Sequence, residues 1–444
     1  MRKRMKATPR TGRATDMKHR RIEHAKTVLI IILAVSAIFL GWQTELFNEL
    51  FNSVPIFGSV AGLVKSTSGD GAGSVPVKEA ARPFCIVITG DEGWRYGVKY
   101  DTDARNAVYD RTSSILGEAL GAAAEMLEIN ENEWREALSV PGVFYEYMNP
   151  VKLSVLDFWL DAKTGEFDEE TMLRRVFVTY GEEKNKLYYQ NADSGRFYCA
   201  ETASSAGIER YSGTFNPNGA QFAFETGVRG TELAPYMLIL EEEARMTLAA
   251  GVPGTAEDIL NVTLECFRRS NESYTISRFG AEGALMCIGA QFNITVDPGG
   301  GVMYRLNDNV QNTESSQALS ESEIIERARL IITDTVCRAQ GDAEVFYESE
   351  VYNDDGSVSV CFSYFIAGGR IYLNDDAYAA KITLLDNTVT EAEFMFRTYY
   401  TAEEFTGLLP EILALSAAGG EYVLCYYDSG QEQIQPFWLA MSRE

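Results

Sequence analysis

Hydrophobic positions along the chain change character twice. From Thr27 to Trp42 the run TVLIIILAVSAIFLGW carries no charge. That is slightly short of the ~20 residues needed to cross a bilayer, and the chain to Phe47 can extend it. Between Lys65 and Pro83 (KSTSGDGAGSVPVKEAARP) apolar periodicity vanishes, as in a Gly/Ser/Pro linker. From Phe84 onward the pattern alternates between the strand period of two and the helical period of 3.6.

FCIVIT predicts a strand opening the folded region. Val108, Ile115, Ala119, Ala123 and Leu127 recur at helical spacing and predict a helix from an N-cap at Asp103 to Glu128. KLSVLDFWL (152–160), LRRVFVTY, KLYYQN and GRFYCA, separated by Gly- and Asn-containing turns, read as a strand meander. Residues 231–250 and 255–269 read as helices, and FNITVDPGGGVMYRL as a hairpin turning on Asp297-Pro298-Gly299-Gly300-Gly301.

The C-terminal part is patterned most clearly. Ser320 and Glu323 form a capping box before a helix with Ile325, Ala328, Ile332 and Val336 on one face. SVSVCFSYF alternates, with Val358, Val360, Phe362 and Tyr364 on one side and Ser357, Ser359, Cys361 and Ser363 on the other. KITLLDN and TVTEAEFMFRT read as paired strands. Thr401 and Glu404 suggest a second capping box, before a short helix that Pro410 breaks or kinks. EYVLCYYD and QIQPFWLA close the chain as a hairpin.

Helices followed by two to four antiparallel strands recur, so the expected class is α+β: an N-terminal transmembrane helix, then antiparallel-sheet domains with helices on one face. The expected boundaries are a tail at 1–26, a membrane helix at 27–47, a linker at 48–83 and α+β domains at 84–230, 231–315 and 316–444.

Charge sharpens this picture. The formal net charge of −25 conceals ten Lys/Arg and two acids within residues 1–26, leaving 29 Lys/Arg against 62 Asp/Glu in the remainder. A basic flank directly before an apolar run keeps the N-terminus in the cytoplasm. The acidic body repels nucleic acid and anionic headgroups. The nearest small-x-small site, Ser59-Val60-Ala61, lies roughly twenty residues beyond the apolar core, which favours an uncleaved signal-anchor over a signal peptide. The expectation is a single-pass cell-membrane protein with its bulk outside.

The seven cysteines (85, 199, 266, 287, 337, 361 and 425) include no CxxC pair, and the odd count excludes a complete disulfide framework. Contexts such as PFCIVI and YVLCYY read as buried small hydrophobes. One or two bridges stay open, as does a fully reduced chain.

The only histidines, His19 and His24, precede the apolar run. The external part therefore lacks the usual general base, Ser-His-Asp and Cys-His nucleophilic schemes and His-ligated zinc. GxSxG and an external SxxK are absent as well. Carboxylate chemistry is left, with Glu241-Glu242-Glu243, Asp91-Glu92 and Asp168-Glu169-Glu170 as candidates; each reads more readily as a solvated face or helix-start charge. Asn353-Asp354-Asp355-Gly356 and Asn374-Asp375-Asp376 lack calcium-loop spacing and read as turns. Gly299-Gly300-Gly301 precedes no helix and so makes no phosphate cradle. Tyr188-Tyr189 and Tyr426-Tyr427 read as sheet packing. No metal or cofactor is expected.

The stretch EHAKTVLIIILAVSAIFLGWQ, with its Ala25-Lys26-Thr27 step into the apolar run, resembles the start of the YycH/YycI family, extracytoplasmic regulators of WalK-type sensor histidine kinases. Ala367-Gly368-Gly369, KITLLDN, EFMFRTYY and the final QPFWLA are similar to that family's C-terminal PepSY-like α+β domain. The resemblance implies a non-enzymatic regulator of a two-component system. Its partners would be a sensor kinase and a sister regulator, with a homo- or heterodimer as a further implication. Ala34, Ser36, Ala37 and Gly41, small residues in the apolar run, would permit close helix–helix contact there. The alternatives are a carboxylate-dependent envelope glycan hydrolase and an envelope assembly scaffold.

Overall fold

The computed structural model describes residues 77–162, 170–180, 185–202, 214–229, 234–240, 246–280, 283–307, 319–405, 407–418 and 421–441. The basic tail, the apolar run and its small residues Ala34, Ser36, Ala37 and Gly41 lie outside them. No helix among the described residues is long and apolar enough to cross a membrane.

The first layer runs β1 (Cys85–Thr89), β2 (Arg95–Val98), α1 (Thr102–Gly121), β3 (Leu127–Ile129), α2 (Glu131–Ala137), β4 (Gly142–Lys152), α3 (Leu153–Leu160), β5 (Met172–Thr179), β6 (Asn185–Asn191) and β7 (Phe197–Thr202). Its strands pair antiparallel in the order β2-β1-β4-β5-β6-β7-β3. All five residues of β1 are buried, because both faces of the sheet are covered. Ile86, Ile88, Val143, Tyr145, Val176 and Val178 pack with α1 and α3. Cys85, Val87, Phe144 and Phe177 face the other way, onto Trp134 of α2. The expectation of helices on one face is therefore corrected here, since successive residues of β1 and β4 are both apolar and each face needs a cover.

The chain continues through β8 (Gln221–Phe222), β9 (Leu238–Ile239), β10 (Met246–Gly251), α4 (Ala256–Cys266), β11 (Tyr274–Phe279), β12 (Ala284–Gly289), β13 (Phe292–Val296) and β14 (Gly301–Leu306). Then follow α5 (Glu321–Thr333), β15 (Glu344–Tyr352), β16 (Val358–Ile366), β17 (Gly369–Leu373), β18 (Ala380–Leu385), β19 (Thr388–Met395), β20 (Thr398–Phe405), α6 (Glu411–Ala418), β21 (Glu421–Asp428), β22 (Gln433–Ile434) and β23 (Pro436–Met441). The second sheet has the order β11-β12-β13-β14-β19-β18-β16-β17-β21-β23, with β15 also on β16; β10 pairs separately with β20 and β22. Its pairs are antiparallel except β17 with β21. The molecule is α+β, dominated by antiparallel sheets.

One apolar core joins the layers, extending from Ala81 and Ile86 through α1, α3, α4 and α5 to Ile434. Local signals start several helices as expected. Ser320 and Glu323 close a reciprocal box on α5, and Thr255 and Asp258 do so on α4; such caps contribute about 1 kcal/mol each. The β13–β14 and β18–β19 hairpins and the β21–β23 pair also match expectation.

Other elements depart from it. Residues 153–160 are helical: Leu153, Leu156 and Leu160 form a buried i, i+3, i+7 stripe, which a short apolar run hides from a period count. The N-cap of α1 is Asp101, whose carboxylate accepts the Ala104 N–H at 2.9 Å, and the helix ends at Gly121. Within 231–250 the described residues form β9 and β10 instead of a helix. Ala249 and Ala250 favour a helix locally, but pairing with β20 decides. Thr401 lies in β20 and its N–H donates to Asp342 at 3.1 Å, so it caps no helix. Pro410 opens α6, its carbonyl accepting the Leu413 and Ala414 N–H groups. β16 is buried on both faces, so its serine side packs as well as its apolar side.

Candidate functional site

The site region is the seam where the first sheet and α1 meet the second sheet. Three ion-paired joints cross it. Lys99, just past β2, reaches Glu411 of α6 at 2.8 Å, and Tyr100 donates to the same carboxylate. Both members of the pair are almost wholly buried, at 6% and 0% exposure. Burial alone would lower the Lys99 pKa, yet the Glu411 charge beside it raises it above its ordinary value. Arg105 of α1 pairs with Glu344 of β15. At the third joint Lys152 gathers Glu321 at 2.5 Å, Glu170 at 3.1 Å and Glu350 at 3.3 Å.

The third joint is electrostatically unusual. Burial, reinforced by the Glu321 charge, lifts the Glu350 pKa above the usual carboxylate value. Glu321 is partly desolvated too, but hydrogen bonds from Lys152 and Tyr352 outweigh this and lower its pKa. Two carboxyls driven apart in this way resemble an acid/base pair. Here both are engaged by the joint itself, Glu321 by Lys152 and Tyr352, Glu350 by Lys152 and Tyr347.

Beside Lys99 and Tyr100 opens a groove of about 990 Å³. One wall is β2 and the start of α1, from Tyr96 to Ala104, with Pro217–Gly219. The other includes Met246, Asp342, Ile366, Ala367 and Thr401. Asn218 lies along the β2 edge: its amide nitrogen donates to the Gly97 carbonyl at 2.7 Å, and its side-chain oxygen accepts the Gly97 N–H at 3.0 Å. Asp101, Asp103 and Asp342 are exposed on the groove while the Lys99 charge is met by Glu411, so the opening is acidic. A smaller cavity of about 450 Å³ lies on the second sheet beside Lys381 and Glu393.

The acids singled out in the sequence do not gather. Asp91 and Glu92 form an exposed 3-10 turn with Glu92 at φ +61°. Glu241-Glu242-Glu243, Asp168 and Glu169 lie outside the described residues, and Glu170 joins the Lys152 cluster. Asn353–Gly356 is the β15–β16 turn, where Asp355 accepts the Ser357 N–H at 3.0 Å. Asn374–Asp376 is a 3-10 turn. Gly299–Gly301 turns the β13–β14 hairpin around the Asp297 carboxylate, which accepts the Gly299 N–H at 2.8 Å. Tyr189 stacks on Tyr198 and Tyr426 is buried, whereas Tyr427 is exposed. All seven cysteines are free. Among the described residues no three His, Cys, Asp or Glu side chains converge as a metal site. Lys99, Lys152 and Glu411 carry no local signal in the sequence, because their partners are remote in the chain.

The fold defines the chain as an α+β protein dominated by two large, mainly antiparallel sheets. No protein-family model matches the sequence, and no curated protein matches it. The chain is similar to a solved structure, the crystal structure of YycH from Bacillus subtilis, at 12% identity and a TM-score of 0.49, over 82% of this chain and 95% of that one.

Proposed function

We propose that this chain is a non-enzymatic, membrane-anchored extracytoplasmic regulator that binds and modulates a cell-envelope two-component sensor histidine kinase. The observation that carries the reading is where the family-like C-terminal segments fall. Ala367-Gly368-Gly369 joins β16 to β17, KITLLDN forms β18 and its turn, EFMFRTYY spans β19 into β20, and QPFWLA forms β23. Except for β20, these strands lie in one stretch of the second sheet, β19-β18-β16-β17-β21-β23, which continues from β19 through β14 to β11. Their grouping supports a single PepSY-like unit headed by α5.

Several buried carboxylates are committed to ion pairs that hold elements of the fold together. Glu146 pairs with Arg175 at 2.6 Å, Asp428 with Arg397 at 2.7 Å and Glu411 with Lys99. In this reading residues 27–47 anchor the chain, and Ala34, Ser36, Ala37 and Gly41 contact a neighbouring membrane helix. Crosslinking in intact membranes followed by purification of the full chain tests the proposal. Recovery of a sensor kinase or a sister regulator supports it; recovery of neither refutes it.

A further inference from the structure

We infer that the acidic groove between β2 and the β16–β17 turn receives an extended, Lys/Arg-bearing segment of a partner protein. The inference rests on the partner-binding reading above and identifies the surface used. Three features bear on the occupant: charge argues for it, and the shape and backbone chemistry of the groove accommodate it.

The first is charge. Asp101 and Asp103 on one wall and Asp342 on the other are exposed, and the nearby Lys99 is neutralised by Glu411. Cationic side chains complement that rim, and anionic ones are repelled. Asp101 is committed to capping α1 and Asp342 to the Thr401 N–H, so both are held in position by the fold. No such structural bond is seen for Asp103 in the first turn of α1.

The second is shape. A volume of about 990 Å³ has room for a few residues of extended chain. Tyr96, Ile366 and Met246 give it apolar walls.

The third is backbone chemistry. Asn218 already satisfies the outward N–H and carbonyl of Gly97. The β2 edge at that point is closed to strand addition, so side-chain recognition from the rim must carry specificity.

A fluorescent peptide of alternating Gly and Lys, and its Gly-Glu counterpart, are titrated against the full-length protein in neutral detergent micelles. Wild type is compared with Asp103→Lys and with Glu136→Lys, the same charge change on α2, which does not line the groove. Binding of the Lys peptide by wild type, weakened about tenfold by Asp103→Lys and less than about twofold by Glu136→Lys, supports the groove. Equal loss in both variants, which the general acidity of the body would cause, overturns it, as does failure of the Lys peptide to bind. Membrane crosslinking of the Asp103→Lys chain separates this claim from the last. Kinase capture undiminished by the substitution sinks the groove alone, whereas no capture by wild type sinks the regulatory reading and leaves the titration to judge the groove.

Discussion

Lys99 and Glu411 meet at 2.8 Å across 312 positions of sequence, and both are buried. They tie the end of β2, which lines the acidic groove, to the start of α6. Removing one partner strands a buried charge, whereas replacing both with apolar residues does not. Glu411→Ala is therefore expected to cost about 3 kcal/mol in urea unfolding, and Lys99→Met/Glu411→Leu to recover most of that loss. Because Lys99 has a raised pKa, its contribution is full below its ordinary value of 10.5 and fades as pH climbs through the folded value.

The Lys152 joint responds to pH in opposite senses at Glu350 and Glu321. Glu350 has a raised pKa, so its contribution is present below the ordinary 4.5 and lost as pH rises through the folded value. Glu321 has a lowered pKa, so its contribution is present above 4.5 and lost as pH falls through the folded value. Glu350→Gln should raise the melting temperature relative to wild type at pH 7, with a smaller gain at pH 4. Glu321→Gln should lower it at pH 7 by the equivalent of about 1 kcal/mol. Thermal melts across that range check both signs.

The thiols should be inert while the chain is folded. Burial pushes Cys266, Cys337 and Cys425 up to about 12 and Cys361 up to about 11. At pH 8 almost none is thiolate, the form that alkylates. Iodoacetamide labelling of these four, followed by mass spectrometry, should be slow in buffer and fast in 8 M urea (about the concentration that unfolds most domains).

Gly368 is held at φ +77°, and a Cβ there would strike the Tyr100 ring. Gly368→Ala should therefore cost about 1–3 kcal/mol and displace Tyr100 from Glu411. Tyrosine fluorescence of a Tyr100→Phe control, compared with that of the glycine variant, distinguishes the local shift from general unfolding.

What the sequence made legible follows from the range of each interaction. Caps and tight turns are encoded within four residues, so Ser320 with Glu323 and the Asp297 turn could be read directly. Leu153–Leu160 could not, since its helix is fixed by packing on α1 and α5 and an eight-residue apolar run fits either period. Thr401 and Glu404 imitate a capping box, but β10 and Asp342 draw the segment into a strand. The groove was least legible. Its walls come from Tyr96–Ala104, Asn218, Met246, Asp342, Ala367 and Thr401, segments with no shared motif. Of its acids only Asp103 stood out, and as a cap, a role that belongs to Asp101.

A regulator of the proposed kind biases its sensor kinase, so the kinase's output depends on it. The phosphorylated fraction of the cognate response regulator is measured in cells containing the chain, lacking it, and complemented with it. The fraction should shift when the chain is removed and return on complementation. An unchanged fraction in all three strains would contradict the regulatory role.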